Sequence, residues 1–460
     1  MIKNNSYLPE LILFSLFFLV IYLHFDWHSS GDDMAVIEGL KVALDCLETK
    51  PLGEICGYGV TQFPILLYLI ALPFNLMGFD NSSISEMFSL FSFISSILSC
   101  LIFYRIGYIS GGRGVAIITV GFVLSGYLFW YMFSSFSEAL GFFLFSLFIL
   151  AIVQKWKILY VGIIAFFCTI TKDIAFPFIV VFLILTIFST NNSYKSIRDL
   201  LRITFTHIND YKIVYLGIIF GICVNSLFNF FKYGTITNAF YTSPIYQVPI
   251  EFAIKNFYMI LFSPAHGLIY VWFSFFCLII TSIFFFLKDS KAMTTLVCLL
   301  LILVAMTYGF SFWFSPFGMV AWGPRLNLPL LAPICLLIII FYGKFLSNYL
   351  KKLKPIHSFL IIFTPLALSS LPNLASKLNI MNYLSLVFQP LKTITESGIE
   401  PFIIETTSVD NLYYKATIEG ASRNIIFPST EVTLNQNYLA LFLWLLFFTC
   451  LVIMSIYRNK

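Results

Sequence analysis

Residues 326–342, LNLPLLAPICLLIIIFY, form an apolar run without a single charged side chain. Two further runs, LILFSLFFLVIYL at 11–23 and LGFFLFSLFILAIV at 140–153, have the same character. A helix that crosses a bilayer needs about 20 mostly apolar residues, and these runs supply most of that length. They predict an all-α protein that crosses a membrane many times.

The composition of the whole chain agrees with this prediction. Of its 460 residues 59% are hydrophobic and 11% are charged, whereas soluble domains carry about 25% charged residues. So little charge cannot cover a water-facing surface of this length. The net charge of +5 is scattered and gives no nucleic-acid footprint. The sequence also contains no P-loop, no glycine-rich dinucleotide motif and no Cys/His metal cluster.

The direction of the chain depends on the apolar segment Gln62–Met77, which is short and contains Pro64 and Pro73. The first apolar segment, Leu8–His24, is followed by FDWH instead of small residues, so it is predicted to be an uncleaved anchor. If Gln62–Met77 lies in the outer interface without crossing, 17 of the 27 basic residues fall on the cytoplasmic side, as the positive-inside rule requires. If it crosses, the short basic connections face outward instead.

We therefore predict a bundle of about 12 transmembrane helices plus one interfacial helix and a small periplasmic region. After the anchor, the predicted spans are 87–104, 114–132, 139–153, 158–170, 174–188, 213–230, 266–287, 293–311, 326–343, 357–372 and 437–456. The protein is expected to be a multi-pass protein of the bacterial inner (plasma) membrane, with its active site facing the periplasm.

Most of the long loops then lie outside, at 26–86, 231–265, 312–325 and 373–436. The expected organisation is a transmembrane catalytic region at 1–372, a periplasmic loop or small subdomain at 373–436, and a last transmembrane helix with a cytoplasmic tail at 437–460.

The external loop 26–86 contains Asp32 and Asp33, two adjacent carboxylates just past the end of a helix. Such a pair is able to take a proton from a hydroxyl group or to bind a cation. The alternative is a polar helix-capping pair, since Asp is a common N-cap residue. The same loop contains Cys46 and Cys56, which would either form a disulfide in an oxidising compartment or remain two unpaired thiols.

The stretch Tyr58–Tyr68, YGVTQFPILLY, begins an apolar helix about 30 residues after the acidic pair. Here the chain resembles the GT-C class of membrane glycosyltransferases that use polyprenyl-phosphate sugars. This class includes the protein O-mannosyltransferases and the lipid A aminoarabinose transferases, which have an acidic pair in the first external loop and then a Tyr-Pro-Pro-Leu-Tyr-like helix. Further similar stretches follow in order: Ser137-Glu138, Thr171-Lys172-Asp173, Asn225–Gly234, Ser263–Leu268, and Trp322–Arg325 with Leu328-Pro329.

The resemblance covers residues 1 to about 340, and the order of the motifs carries more weight than any one of them. His266 stands where the family has an arginine, and Gln62 stands where some relatives have a charged residue.

The resemblance implies a role for each matching residue. Asp32 would be the general base, Asp33 would orient the acceptor or a cation, and Glu138 would hold the acceptor or the base. A cradle for the donor phosphate would be formed by Arg325, Lys172 and His266. Substrate contacts are expected from Tyr58, Gln62 and Trp322.

The implied reaction is transfer of a sugar from a polyprenyl-phosphate donor to a cell-envelope glycan. No organic cofactor is expected, a divalent cation is left open, and the expected partners are the lipid-linked donor, the glycan acceptor and membrane lipid, without nucleic acid. A protein (pilin) acceptor is the alternative within this class. A transporter or flippase of lipid-linked sugars would place ionisable residues in mid-membrane, and a ligase-like protein would carry Arg and His in a late loop.

Overall fold

The computed structural model describes residues 14, 31–49, 65–132, 137–171, 208–238, 247–262, 267–287, 289–312, 325–378 and 434–459. This part of the chain is almost entirely helical, as predicted. Its α-helices are α1 Gly31–Thr49, α2 Ile65–Leu76, α3 Asn81–Gly111, α4 Arg113–Ser125, α5 Leu128–Tyr131, α6 Glu138–Val153, α7 Ile158–Thr171, α8 Lys212–Tyr233, α9 Ile250–Phe262, α10 Leu268–Val271, α11 Phe273–Phe286, α12 Ser290–Ser311, α13 Leu328–Lys352, α14 Pro355–Leu378 and α15 Leu434–Asn459.

Within the described residues, four helices are long and apolar enough to cross a membrane: α3, α8, α12 and α13. Seven shorter apolar helices accompany them: α2, α4, α6, α7, α11 and the apolar parts of α14 and α15. The chain is therefore a multi-pass membrane protein. Predicted span 174–188 lies outside the described residues. So does most of the anchor, of which Phe14 alone is described, with its ring 6.4 Å from that of Phe447 in α15.

Helix α13 occupies the centre of the bundle, and most of its side chains are buried. It packs against α3 and α6. Where α3 ends, the backbone of Gly111 approaches that of Gly343 so closely that a Cβ atom on either residue would overlap the other chain segment. Small residues at such crossings bring helices together in membranes, where lipid is as apolar as leucine.

Helices α7 and α8 pack together through the same device. Gly217 and Gly221, spaced as G-x-x-x-G on α8, lie against the backbone of Gly162 and the side chain of Thr169 on α7. One turn further, the Asn225 amide donates a hydrogen bond to the Thr169 carbonyl at 2.9 Å. Because both residue numbers rise together along the contact, the two helices run parallel and end on the same side of the bundle.

Two spans were predicted as continuous helices, and this prediction was wrong because the structure interrupts both. The span 114–132 breaks after Ser125 and continues as α5, and the span 266–287 breaks at Trp272 between α10 and α11. The Trp272 ring packs on Gly126, where a Cβ atom would lie 2.6 Å from a ring atom, and its Nε1 donates a 3.1 Å hydrogen bond to the Phe122 carbonyl. The Phe122 carbonyl, in the last turn of α4, therefore accepts a hydrogen bond from the Trp272 side chain where the helix is interrupted.

The first external segment is not the loop that the sequence predicted, because it contains the 19-residue helix α1. Val36, Ile37 and Leu40 are buried in a second hydrophobic cluster with residues of α2 and α3. Their spacing places them on one helix face. Likewise, the predicted loop 231–265 contains the helix α9, Ile250–Phe262.

Candidate active site

The site is built around Glu138, the first residue of α6, whose side chain is completely buried. A carboxylate in the first turn of a helix interacts favourably with the helix dipole. One turn into α6, a Cβ atom on Gly141 would lie 3.0 Å from Pro329 of α13 and 3.6 Å from Thr171 of α7. The start of α6, the end of α7 and the start of α13 therefore converge, and we call this side of the bundle the Glu138 end.

Tyr127 adds an aromatic wall to the Glu138 end. It lies in the turn between α4 and α5, is fully buried, and its ring centroid is 6.2 Å from that of Tyr131. Tyr127 also lies within electrostatic range of Glu138 and Cys335, so the aromatic pair borders the buried carboxylate.

The acidic pair lies in the first turn of α1. The prediction that it lies in a loop was wrong. Asp32 and Asp33 follow Gly31 at the helix start, where acidic residues favour helix formation. Their side chains lie outside those that the structure describes. The buried residues one turn later, Val36 and Ile37, join α1 to the cluster with α2 and α3.

Arg325 begins a short 3-10 helix, Arg325–Asn327, that leads directly into α13. Its side chain is not among those described, but the neighbouring Asn327 is buried and donates a 3.2 Å hydrogen bond to Thr307 of α12. Pro329 follows two residues later at the contact with α6. The Arg325 backbone is therefore held at the Glu138 end from two sides.

Five predicted site residues lie outside the described residues: Tyr58, Gln62, Lys172, His266 and Trp322. In the sequence, Lys172 directly follows Thr171, the last residue of α7, and His266 directly precedes Gly267, the N-cap residue of α10. Cys46 is buried on α1 and is disulfide-bonded. Its predicted partner, Cys56, also lies outside the described residues.

One residue of this region was missed by the sequence reasoning. Lys232, in the last turn of α8, is completely buried, with Nζ 4.6 Å from the centroid of the Phe228 ring and 4.9 Å from that of Tyr233. A lysine between aromatic residues near a helix end indicates a side chain that reaches the membrane surface. The structure instead buries it on the same face of α8 as Asn225 and Asn229.

Within the described residues no group of three or more His, Cys, Asp or Glu side chains could hold a metal ion. Because the side chains of Asp32 and Asp33 are not part of that set, a cation bound by the acidic pair stays a prediction.

Comparison with solved structures gives a match to ArnT from Cupriavidus metallidurans in the apo state. The match covers 98% of this chain and 77% of ArnT, with a TM-score of 0.50 and 12% sequence identity. The chain shares the fold of ArnT. ArnT is the lipid A aminoarabinose transferase, a member of the class that the motifs predicted, so the GT-C resemblance is confirmed at the level of the fold. No family model matches the chain, and no curated protein matches it significantly.

Proposed function

We propose that the chain is a GT-C glycosyltransferase that transfers a sugar from a polyprenyl (undecaprenyl) phosphate donor to a cell-envelope glycan. The observation that carries this proposal is the ArnT fold, matched over 98% of the chain. The stretches that resemble GT-C motifs follow one another along this chain in the order expected for that class. Fold alone does not define an activity, so the convergence of the helix ends next to the predicted site residues supplies the second support.

The helix ends that carry three of the predicted site residues come from distant parts of the sequence and converge at the Glu138 end. Glu138 begins α6, Arg325 leads into α13, and Lys172 follows the last residue of α7. A transfer between a membrane-bound donor and a polar acceptor requires acidic and basic groups together at one membrane face. This face is the periplasmic one in the predicted topology of an inner-membrane protein.

The reaction is a single displacement. Asp32 takes the proton of the acceptor hydroxyl, whose oxygen attacks the anomeric carbon of the sugar. The bond from that carbon to the phosphate oxygen breaks, the phosphate leaves with the electron pair, and the anomeric configuration inverts. Asp33 orients the acceptor or a cation, and Glu138 holds the acceptor or the base.

The departing phosphate gains negative charge and needs positive partners in a site with little water. Arg325 offers a planar fork for two phosphate oxygens, while Lys172 and His266 add charge beside it. Tyr58, Gln62 and Trp322 contact the substrates. The acceptor is an O-antigen or a lipopolysaccharide that receives a side-branch sugar.

The test is transfer from synthetic polyprenyl-phosphate sugars to extracted envelope glycan by the purified protein, with and without a chelator. Because removal of a general base costs about 10²–10⁴-fold in rate, Asp32→Asn is expected to lose transfer by that factor while its melting curve stays unchanged. Glu38→Gln is the matched control, since Glu38 is an exposed carboxylate on the same helix. The chelator arm decides whether a divalent cation takes part.

Each other outcome points to a different assignment. Full activity of Asp32→Asn would move the base to Asp33 or Glu138. Transfer to pilin but not to glycan would make the protein a protein O-glycosyltransferase. If the wild type moves intact lipid-linked sugar across vesicle membranes and transfers none, the transferase proposal fails and the chain is a flippase.

A further inference from the structure

Asn225, on α8, has no role in the reaction described above, although its polar side chain is only 6% exposed. Its Oδ1 atom is buried and accepts no hydrogen bond from any described residue. Proteins supply a partner for most buried polar atoms, because an acceptor that leaves water without gaining a donor is destabilising. This side-chain oxygen therefore calls for a ligand or a bound water molecule.

The orientation of the Asn225 carboxamide is fixed by its other half. Nδ2 donates a 2.9 Å hydrogen bond to the carbonyl oxygen of Thr169. A carbonyl group only accepts, so the nitrogen and not the oxygen must face it. Thr169 belongs to the last four residues of α7, whose carbonyl groups have no partner within their own helix. Capping of α7 thus explains the nitrogen of this side chain and leaves the oxygen unexplained.

The carboxamide lies near the depth of Glu138 in the bundle. Helix carbonyl groups point toward the C-terminal end of their helix, so the Asn225 side chain lies beyond Thr169 toward the end of α7. Two residues further, the Thr171 methyl group lies 3.6 Å from the Cβ position of Gly141, which is three residues from Glu138. At about 1.5 Å of rise per residue, the carboxamide and Glu138 lie within about one helical turn of each other in depth.

Other uncharged amides lie in the same region. Asn229, one turn after Asn225 on the same face of α8, is 4% exposed. Asn327, which leads into α13, also has a buried Oδ1 that accepts no hydrogen bond from a described residue. Within the described part of the chain, the buried amide oxygens without a donor are those of Asn225 and Asn327, and both residues lie at the Glu138 end. Uncharged acceptors are thus concentrated where we place the transfer reaction.

An uncharged acceptor selects a ligand group that donates a hydrogen bond. The oxygens of a phosphate ester are acceptors themselves, so the amide oxygen does not suit the phosphate. A sugar hydroxyl is uncharged and donates one hydrogen bond. Lys172, the predicted phosphate-binding residue, directly follows the last residue of α7 in the sequence. In the donor the sugar is bonded directly to the phosphate, so a phosphate held by Lys172 would bring the sugar to the end of α7.

We propose that Asn225 is a specificity-determining residue whose Oδ1 accepts a hydrogen bond from one hydroxyl group of the sugar on the lipid-linked donor. The proposal rests on the proposed transferase function and adds a sugar contact from α8, which supplies none of the predicted site residues. A site of this kind rejects a sugar that lacks the hydroxyl group, because the buried oxygen is then left without a donor.

Binding of sugar analogues tests this proposal without any transfer assay. The purified full chain in detergent is titrated by calorimetry with farnesyl phosphate and with its glucose, galactose, mannose and arabinose esters. The ester that binds most tightly is then prepared in versions that each lack one hydroxyl group. We expect at least one version to bind the wild type about 3- to 10-fold more weakly than the parent ester, as the loss of one hydrogen bond between uncharged groups predicts.

Variants of two matched asparagines assign that loss to a residue. Asn225→Leu is expected to bind the parent ester as weakly as it binds the weakened version, because the hydrogen bond is already absent, and to bind farnesyl phosphate like the wild type. Asn256 donates the same 2.9 Å hydrogen bond to the Ser311 carbonyl at the end of α12, so Asn256→Leu should keep the wild-type pattern. Asn225→Ala repeats the comparison if the melting curve shows that Asn225→Leu is not folded.

The outcomes distinguish the two proposals. If removal of each hydroxyl group weakens binding by the same factor in Asn225→Leu and in the wild type, Asn225 contacts no sugar hydroxyl, and the transferase proposal is untouched. The same holds if the wild type binds farnesyl phosphate and all its sugar esters equally. If a chelator abolishes the difference between Asn225→Leu and the wild type, the oxygen binds a cation and the sugar assignment is overturned. If the wild type binds neither farnesyl phosphate nor any ester, both proposals fail.

Discussion

The contact between α7 and α8 allows a prediction with a calculable size. A Cβ atom on Gly217 would overlap the carbonyl oxygen of Gly162, and one on Gly162 would lie 2.9 Å from the carbonyl oxygen of Ile213. Both neighbours are backbone atoms, which cannot swing aside as a side chain can. In Gly217→Ala the two helices must therefore separate by on the order of 1 Å to restore normal contact.

Overpacking of this kind costs about 1–3 kcal/mol. Alanine in the middle of a helix also gains about 0.5–1 kcal/mol over glycine, so a second variant must supply that reference. Gly309 in α12 has open space around its Cβ position, and Gly309→Ala should show the helix gain alone. The two variants are expected to differ by the overpacking cost, about 5- to 150-fold in the unfolding equilibrium constant.

The assay is reversible unfolding of the purified variants in mixed detergent micelles, followed by circular dichroism. Gly217→Ala should unfold at lower denaturant than the wild type, and Gly309→Ala at the same or higher denaturant. Equal midpoints for the two variants would refute the reasoning, because they would mean that α7 and α8 do not meet through Gly162 and Gly217.

Two further predictions concern the carboxylates. Glu138→Gln is expected to lower kcat/KM for sugar transfer about 10- to 100-fold, since hydrogen bonds to a charged group are lost. The control Glu251→Gln, in the exposed first turn of α9, should transfer sugar at the wild-type rate. Equal rates for the two variants would show that Glu138 does not belong to the site. Hydrogen bonds from Ser83, and then Ser82, lower the pKa of the exposed Asp80 carboxyl below 3.8 where it caps α3. Its contribution to stability is therefore complete above pH 3.8 and is lost as the pH falls through the lowered value. The difference in melting midpoint between wild type and Asp80→Asn should shrink as the solution is acidified below pH 3.8. A difference that stays constant throughout the acid titration would contradict this assignment.

The sequence predicted the long apolar helices well because length and lack of charge suffice to identify them. The predicted span 326–343 corresponds to α13, Leu328–Lys352. The prediction stopped about two turns early because the last turns carry lysines and serine, which a search for apolar runs excludes. Where a helix ends in water, the hydrogen bonding of its last backbone groups determines the final residue, and hydropathy does not. The ends of such helices are therefore harder to predict from the sequence.

The helix α1 escaped prediction for a different reason. It buries Val36, Ile37, Leu40 and Ala43 on one face and leaves Glu38 and Lys41 exposed, so it is an amphipathic helix and not an apolar run. A search for helical spacing in the predicted external loop would have found it. Its burial against α2 also explains why the acidic pair starts a helix.

The burial of Lys232 was beyond sequence reasoning. The neighbouring residues on α8 are aromatic, and a lysine there normally extends to the membrane surface. The side chain is enclosed because Phe228 and Phe231 pack against the cluster of α1, α2 and α3, which belongs to a segment more than 140 residues earlier in the chain. Contacts at that sequence separation cannot be inferred from local pattern.

The packing of Trp272 on Gly126 has a consequence for the evolution of this fold. The indole fills the space that any side chain at position 126 would need, and its Nε1 donates a hydrogen bond to the carbonyl of Phe122. Neither residue can change alone without a clash or an empty space. In homologous chains the two positions should covary: a larger residue at the position of Gly126 should accompany a smaller one at the position of Trp272.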